Sequence, residues 1–210
     1  MYYPTVSPHD ERVALVRCDM TGSYLTLDGG QSWRILNLRG SARFYEFDPS
    51  DPKVIYAASI GLWRSADTGR TWTLVLPAPE SLVRIDLLGD HADEYIVSRD
   101  GSQLTVDAMA IDPADSKTLY VAVRAGGLSS LRFSSDWGRT WTKVRDLDSP
   151  ARRIWIDAKS PRSARTVYVA GKNSVIVRRQ GTWIDQAAPA GIASHAGRIA
   201  RQKRRGGSVR

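Results

Sequence analysis

One eight-residue pattern occurs three times, and its spacing confines the chain to a tandem array of small units. The copies are Thr26-Leu27-Asp28-Gly29-Gly30-Gln31-Ser32-Trp33, Ser65-Ala66-Asp67-Thr68-Gly69-Arg70-Thr71-Trp72 and Ser134-Ser135-Asp136-Trp137-Gly138-Arg139-Thr140-Trp141. They share [ST]-x-D-x-G-x-[ST]-W, and Gln180-Gly181-Thr182-Trp183 keeps only its end. A second pattern precedes each copy. Phe47-Asp48-Pro49 leads to Val54–Ala57, Ile111-Asp112-Pro113 to Leu119–Ala122, and Ile156-Asp157-Ala158 to Val167–Ala170. The tryptophans at 33, 72, 141 and 183 step by 39, 69 and 42 residues. A step of about 40 is one four-stranded propeller blade. The long step holds one blade and about 30 further residues, placed at 77–106.

Each unit offers four short alternating runs; in the second they are Arg43–Phe47, Val54–Ala58, Leu62–Ser65 and Thr71–Val75. Asp-x-Gly falls between the third and fourth runs, where glycine supplies a positive φ for a tight turn. The aspartate accepts hydrogen bonds from turn amides, and the tryptophan at the start of the outer strand packs under the hairpin. Turn structure therefore accounts for Asp28, Trp33, Asp67, Trp72, Asp136 and Trp141. The expected fold is an all-β propeller with about four blades, near 1–38, 39–76, 107–147 and 148–185. An insertion lies at 77–106 and a basic, disordered tail at 186–210.

The repeat resembles the Asp-box (BNR) repeat of sialidases, xyloglucan-cleaving endoglucanases, sortilin-type receptors and photosystem assembly factors. The resemblance covers roughly residues 1–185, and it implies that the boxes are structural and lie away from any ligand. Within it, Arg17-Cys18-Asp19-Met20-Thr21-Gly22-Ser23-Tyr24 is similar to the R-T-D-x-G-G-x-Y segment in the first blade of the xyloglucan-cleaving endoglucanases. That likeness implies that Asp19 corresponds to one of two catalytic carboxylates. Cys18, Thr21 and Ser23 depart from the pattern. The second aspartate of those enzymes lies in a second propeller outside these residues, and inverting hydrolysis needs both an acid and a base. The sialidase arrangement, with three arginines, a tyrosine and an acid, lacks its Arg-Ile-Pro signature here.

If the Asp turns join strands three and four, the loops joining strands two and three point to the opposite end. So do the connections between blades and the insertion, which could act as a lid or wall. These loops present Arg17, Asp19, Arg124 and Lys172 from within blades, and Arg39, Arg43, Arg152 and Arg153 from between them. Arg17, Tyr24, Arg43, Arg124, Arg153 and Trp155 are the candidate ligand contacts, with Tyr45 and Trp63 as further aromatics that could stack on sugar rings. The cluster Asp90-His91-Ala92-Asp93-Glu94 reads as a solvated turn between two strands. His9 and His195 have no partners by spacing. No metal or other cofactor is called for.

The formal charge of +8 is concentrated in the tail. Six basic residues from Arg198 to Arg210 face no carboxylate, which leaves 24 basic against 22 acidic residues in the body. The tail could attract phosphates but has no aromatic residue for base stacking. Cys18 is the single cysteine, so no intrachain disulfide forms. The first residues lack the pattern of a signal peptide, whereas the resemblance implies export.

Four blades without an evident closing strand form an arc, and the resemblance implies more blades, since Asp-box propellers of those families usually have six or more. An open arc exposes sheet faces, so the chain is expected to be a piece of a larger propeller, ahead of one that completes itself by dimerising or an unusual small propeller. Three functions follow in order: a glycan-directed protein that binds polysaccharide or cleaves it through Asp19; a non-enzymatic protein-binding or assembly propeller; and a nucleic-acid binder using the tail.

Overall fold

Each repeat closes into its own antiparallel sheet. The computed structural model describes residues 2–18, 21–88, 93–99 and 103–187. The first blade comprises β1 (Tyr2–Val6), β2 (Ala14–Cys18), β3 (Gly22–Thr26) and β4 (Arg34–Ile35). The second comprises β5 (Phe44–Phe47), β6 (Ile55–Ala58), β7 (Leu62–Ser65) and β8 (Thr73–Leu76). A two-stranded hairpin, β9 (Leu82–Leu88) and β10 (Asp93–Ser98), follows. The third blade is β11 (Leu104–Asp112), β12 (Asp115–Ala125), β13 (Leu128–Ser134) and β14 (Thr142–Leu147). The fourth is β15 (Arg153–Ile156), β16 (Val167–Ala170), β17 (Ser174–Arg179) and β18 (Thr182–Ala187). Strands pair in sequence order within every blade. The chain is thus an all-β partial propeller of four four-stranded blades. Because β11 starts at Leu104, the extra segment ends earlier than its sequence spacing predicts.

Three apolar seams join consecutive blades. Leu15, Leu25 and Leu36 of the first blade meet Tyr45, Phe47, Ile55 and Ala57 of the second. Tyr56, Leu62 and Val75 meet Met109, Leu119, Val121 and Val123 of the third. Ala108, Tyr120 and Leu131 meet Ile154, Val167, Val169 and Ile176 of the fourth. Strand alternation sends each residue to one seam or the other, so the middle blades are apolar on both faces. β6 is buried along its whole length for this reason. The outer faces of the end blades carry the same kind of residues without a neighbour among the described residues. Val6 and Ile35 of the first blade are exposed. In the fourth, Trp155, Tyr168, Val177 and Ile184 stand in one cross-strand row, with Trp155 and Ile184 exposed.

The Asp turns are nearly identical. Asp67 Oδ1 accepts from the Thr71 N–H at 2.9 Å and Oδ2 from the Thr71 hydroxyl at 2.7 Å. Asp28 with Ser32, and Asp136 with Thr140, repeat both bonds. The residue after each aspartate also adopts a positive φ: Gly29, Thr68 (58°) and Trp137 (61°). Two successive left-handed residues make the turn suited to a tight hairpin.

The tryptophans differ from the sequence expectation. Trp72, Trp141 and Trp183 reach back to the preceding blade instead of closing only their own hairpins. Trp72 packs in the first seam and Trp141 in the second, where its indole N–H donates to Val75 O at 2.8 Å. Trp183 packs in the third. Trp33, with no preceding blade among the described residues, is 37% exposed. Gly138 shows how close this approach is: a Cβ there would lie 3.4 Å from Val75 and 3.0 Å from Trp141.

The Asp-Pro pattern ties the blades at the same end. Asp48 is fully buried and accepts from the Ser50 and Asp51 amides and, across the seam, from the Ser116 hydroxyl at 2.7 Å. Asp112 binds Arg165 of the fourth blade through two bonds of 2.7 and 2.9 Å. Arg165 also donates to the carbonyls of Ala158 and Ser160. His9, expected to be unpartnered, bonds Asp48 O through Nε2 at 2.8 Å.

Both side chains of the Asp112–Arg165 pair are at most 6% exposed. Arg165→Met strands a buried carboxylate, and should cost about 3–5 kcal/mol in urea unfolding; a loss below about 1 kcal/mol would show that solvent replaces the pair. A second outcome follows from the turns. The Ser32 hydroxyl and amide lower the pKa of Asp28 to about 2, and the Thr140 hydroxyl and amide lower that of Asp136 to about 2. The Thr71 amide and hydroxyl lower Asp67 further still. Because the unfolded chain protonates first, their stabilisation is present above about pH 4 and is lost as pH falls through 2. Asp67→Asn should flatten that acid limb in melts between pH 4 and 2, and an unchanged limb would mean that other carboxylates set it.

Candidate functional site

The inner strands converge at the end of the arc opposite the Asp turns, around a cavity of about 680 Å³. β5 and the residue before it contribute Arg43, Phe44, Tyr45 and Glu46; β11 contributes Asp107, Ala108 and Met109; β15 and the residue before it contribute Arg152, Arg153 and Ile154; and Arg17 enters from β2. Tyr45 is core, with its hydroxyl donating to Val16 O at 3.3 Å, and only its edge borders the space.

Strand geometry explains each polar group. Arg17 precedes the β2–β3 loop, and its Nη1 donates to Ala42 O at 2.9 Å across the first seam. Arg43 and Arg153 sit at the entrances of inner strands. Glu46 lies on the face of β5 opposite Tyr45 and Phe47, which fill the first seam. Asp107 occupies a break in register: Val106 pairs with Val123 while Ala108 pairs with Ala122. A bulge leaves one residue unpaired and re-aims its side chain. Arg124 clamps that carboxylate through Nε at 2.9 Å and Nη2 at 3.0 Å, and Arg43 stands 3.7 Å away. The Asp107 side chain is 6% exposed.

Of the predicted ligand residues, the structure brings Arg17, Arg43 and Arg153 together, with Arg124 one step behind through Asp107. Tyr24 and Trp155 do not line the cavity. The Tyr24 hydroxyl donates to Thr21 Oγ1 at 2.8 Å, and Trp155 stacks on Tyr168 with ring centroids 4.9 Å apart on the outer face of the last blade. Asp19 lies outside the described residues, as do Asp90, His91 and the tail beyond Ala187, while Gln186 and Ala187, expected in the tail, close β18. Glu46 and Asp107 were missed from sequence. Their signal is a carboxylate inside the apolar inner runs Phe44–Phe47 and Val106–Ile111.

The hairpin stands at the same end. Ile96 is buried and comes within 3.2 Å of the Cβ position at Gly61 in the β6–β7 loop, and Glu94 pairs with Arg39 at 3.3 Å. A second cavity of about 520 Å³ lies between the hairpin base and the third blade, lined by Ser98, Arg99, Leu104 and Arg132 among others. Among the described residues, no three His, Cys, Asp or Glu side chains converge as a metal site, and no helix is long and apolar enough to cross a membrane.

Two carboxylates of different character share the cavity. Asp107 is held by two guanidiniums. Glu46 is half-buried, and that burial pushes its pKa up to about 7, opposed by the charge of Arg153. A carboxyl titrating near neutrality can both give and take a proton at working pH.

The fold is that of a β-propeller, and the comparisons agree. An ancestral GH74 enzyme superposes with a TM-score of 0.66 at 19% identity, covering 89% of this chain and 24% of that one. An auxiliary nutrient binding protein from Bacteroides thetaiotaomicron gives 0.53 at 9% identity, covering 87% and 40%. In sequence, the chain is similar to a xyloglucanase of a Paenibacillus species, 31% identical over 134 residues, or 56% of this chain. It is also 28% identical over 120 residues to xyloglucanase Xgh74A of Acetivibrio thermocellus, covering 51% of this chain. The chain spans 12% of the length of each of these relatives. No protein-family model matches it.

Glu46 should titrate with a midpoint near 7 in a carbon-detected NMR titration of side-chain carboxyls. Arg153→Gln should raise that midpoint, since the guanidinium favours the charged form. A midpoint near 4.5 would show that water reaches the carboxyl freely.

Proposed function

We propose that this chain is a glycan-directed Asp-box propeller segment, related to the xyloglucan-cleaving glycoside hydrolases. On this reading, the cavity end faces the polysaccharide. The carrying observation is the sequence similarity to two xyloglucanases. The polar cavity, at the end away from the Asp turns, supports it. Asp19 follows Arg17 by two residues and is the proposed catalytic-type carboxylate. Glycosidic hydrolysis needs a partner acid or base, and Glu46 has the proton affinity for that work. Export would suit a protein acting on such a polymer.

A second reading, a protein-binding propeller, draws on the cross-strand row of Trp155, Tyr168, Val177 and Ile184 on the last blade, of which Trp155 and Ile184 are exposed. A thermal melt with xyloglucan and β-glucan oligosaccharides separates the two, because a ligand bound only by the native state raises the midpoint. The expected result is a cooperative melt that rises with at least one oligosaccharide, with any turnover abolished by Asp19→Asn. A cooperative melt indifferent to every sugar would overturn the glycan reading in favour of protein binding.

A further inference from the structure

We propose that the outer face of the fourth blade receives the first blade of a second copy of this chain, and that two copies close head to tail into an eight-blade ring. The carrying observation is a register that repeats in every sheet. Glu46, Tyr56, Arg64 and Thr73 form one cross-strand row in the second blade. Ala110, Tyr120, Phe133 and Thr142 form it in the third, and Trp155, Tyr168, Val177 and Ile184 in the fourth. Leu15, Leu25 and Arg34 hold the same places in the first blade.

In the first three blades this row meets the turn of the blade that follows. Arg34 donates to the Thr68 and Gly69 carbonyls. The Tyr56 hydroxyl donates to Trp137 O at 3.3 Å. The Tyr120 ring meets Trp183 edge-on, with centroids 6.4 Å apart. Tyr168 stands at the register position of Tyr56 and Tyr120, yet its row leaves Trp155 and Ile184 exposed. Where the other rows end in arginine or threonine on the outer strand, this one ends in Ile184. It is a seam face, apolar throughout.

The first blade presents the matching half. Trp33 ends its Asp turn as Trp72 and Trp141 end theirs, and it is exposed. Val6 pairs with Ala14 as Phe47 pairs with Ile55; Phe47 fills the first seam, and Val6 is exposed. The charges match as well. Asp157 follows Ile156 as Asp112 follows Ile111, and Arg12 stands two residues before Ala14 as Arg165 stands two before Val167. Asp112 and Arg165 are the pair that locks the third seam. Arg12 pairs with Asp10 at the surface, a contact of little energy that a seam can replace. A heterologous interface whose rotation closes generates a ring, and two arcs of four blades make eight, within the range of propellers. The ring does not depend on what the cavity binds.

The test is the mass of the 210-residue chain by size-exclusion chromatography with light scattering. Twice the 23.3 kDa of one chain is expected. Ile184→Arg and Val6→Arg, both at exposed positions, should keep the wild-type circular dichroism and should each lose the dimer. Mixing the two variants should restore a dimer, because one supplies an intact first blade and the other an intact fourth. Loss in Ile184→Arg alone would overturn head-to-tail pairing in favour of two fourth blades face to face. Species that keep growing with concentration would overturn the ring, since a rotation that does not close builds filaments. A wild type that is monomeric at every concentration would overturn the proposal outright, whether residues 188–210 or a different protein covers the row.

Discussion

The structure depends on how one blade's turn seats against the blade before it. In each of the middle seams, a tryptophan ending the Asp turn inserts into the preceding sheet, and the turn glycine comes within van der Waals reach of it. Trp141 with Val75, and Gly138 with the same valine, show the arrangement. Bonds run the other way too. Arg34 of the first blade donates to the carbonyls of Thr68 and Gly69, and the Tyr56 hydroxyl of the second donates to that of Trp137. The turn is therefore both the closure of its own hairpin and the docking surface for its neighbour. A four-stranded sheet alone cannot bury both of its apolar faces, so stacking supplies the stability.

That stacking fixes the site. Once adjacent sheets are locked at the Asp-turn end through Asp48 and the Asp112–Arg165 pair, their inner strands must converge around the centre. Residues at the far ends of those strands are then brought near one another although they lie as much as 136 residues apart, as Arg17 and Arg153 do. The bulge at Asp107 adds a carboxylate where regular pairing would have turned it away. The result is a cavity rich in cations, with one acid, Asp107, clamped by Arg124 and the other, Glu46, poised near neutrality.

The seam logic also makes sense of the free faces. Trp155, Tyr168, Val177 and Ile184 continue, on the last blade, a surface like those that meet a partner in every internal seam. Trp33, the turn tryptophan of the first blade, is 37% exposed, with no preceding blade among the described residues to receive it. Both ends of the arc therefore carry the recognition surfaces of a propeller blade.

Much of the architecture was legible because repeats and alternation are local properties. The motif ending in Trp33, Trp72 and Trp141 located the hairpins, and the runs around them located the strands. Asp28, Asp67 and Asp136 could be read as turn acids from sequence because their hydrogen-bond partners lie within four residues. The basic character of the loops at the other end was visible as well, in Arg17, Arg43, Arg124 and Arg153. Sequence could not say where the tryptophans point, because their partners belong to another repeat about 66 residues away, as Val75 does for Trp141. It could not find Glu46, whose role depends on which face of β5 each neighbouring blade covers. Nor could it find Asp107, because a bulge breaks the period of two from which facing is inferred. Sequence alone determined the repeating unit and its turns, which short-range bonds dictate. Tertiary structure alone decided which charges meet and which carboxyl resists ionisation, because both depend on distances between blades and on the water their packing excludes.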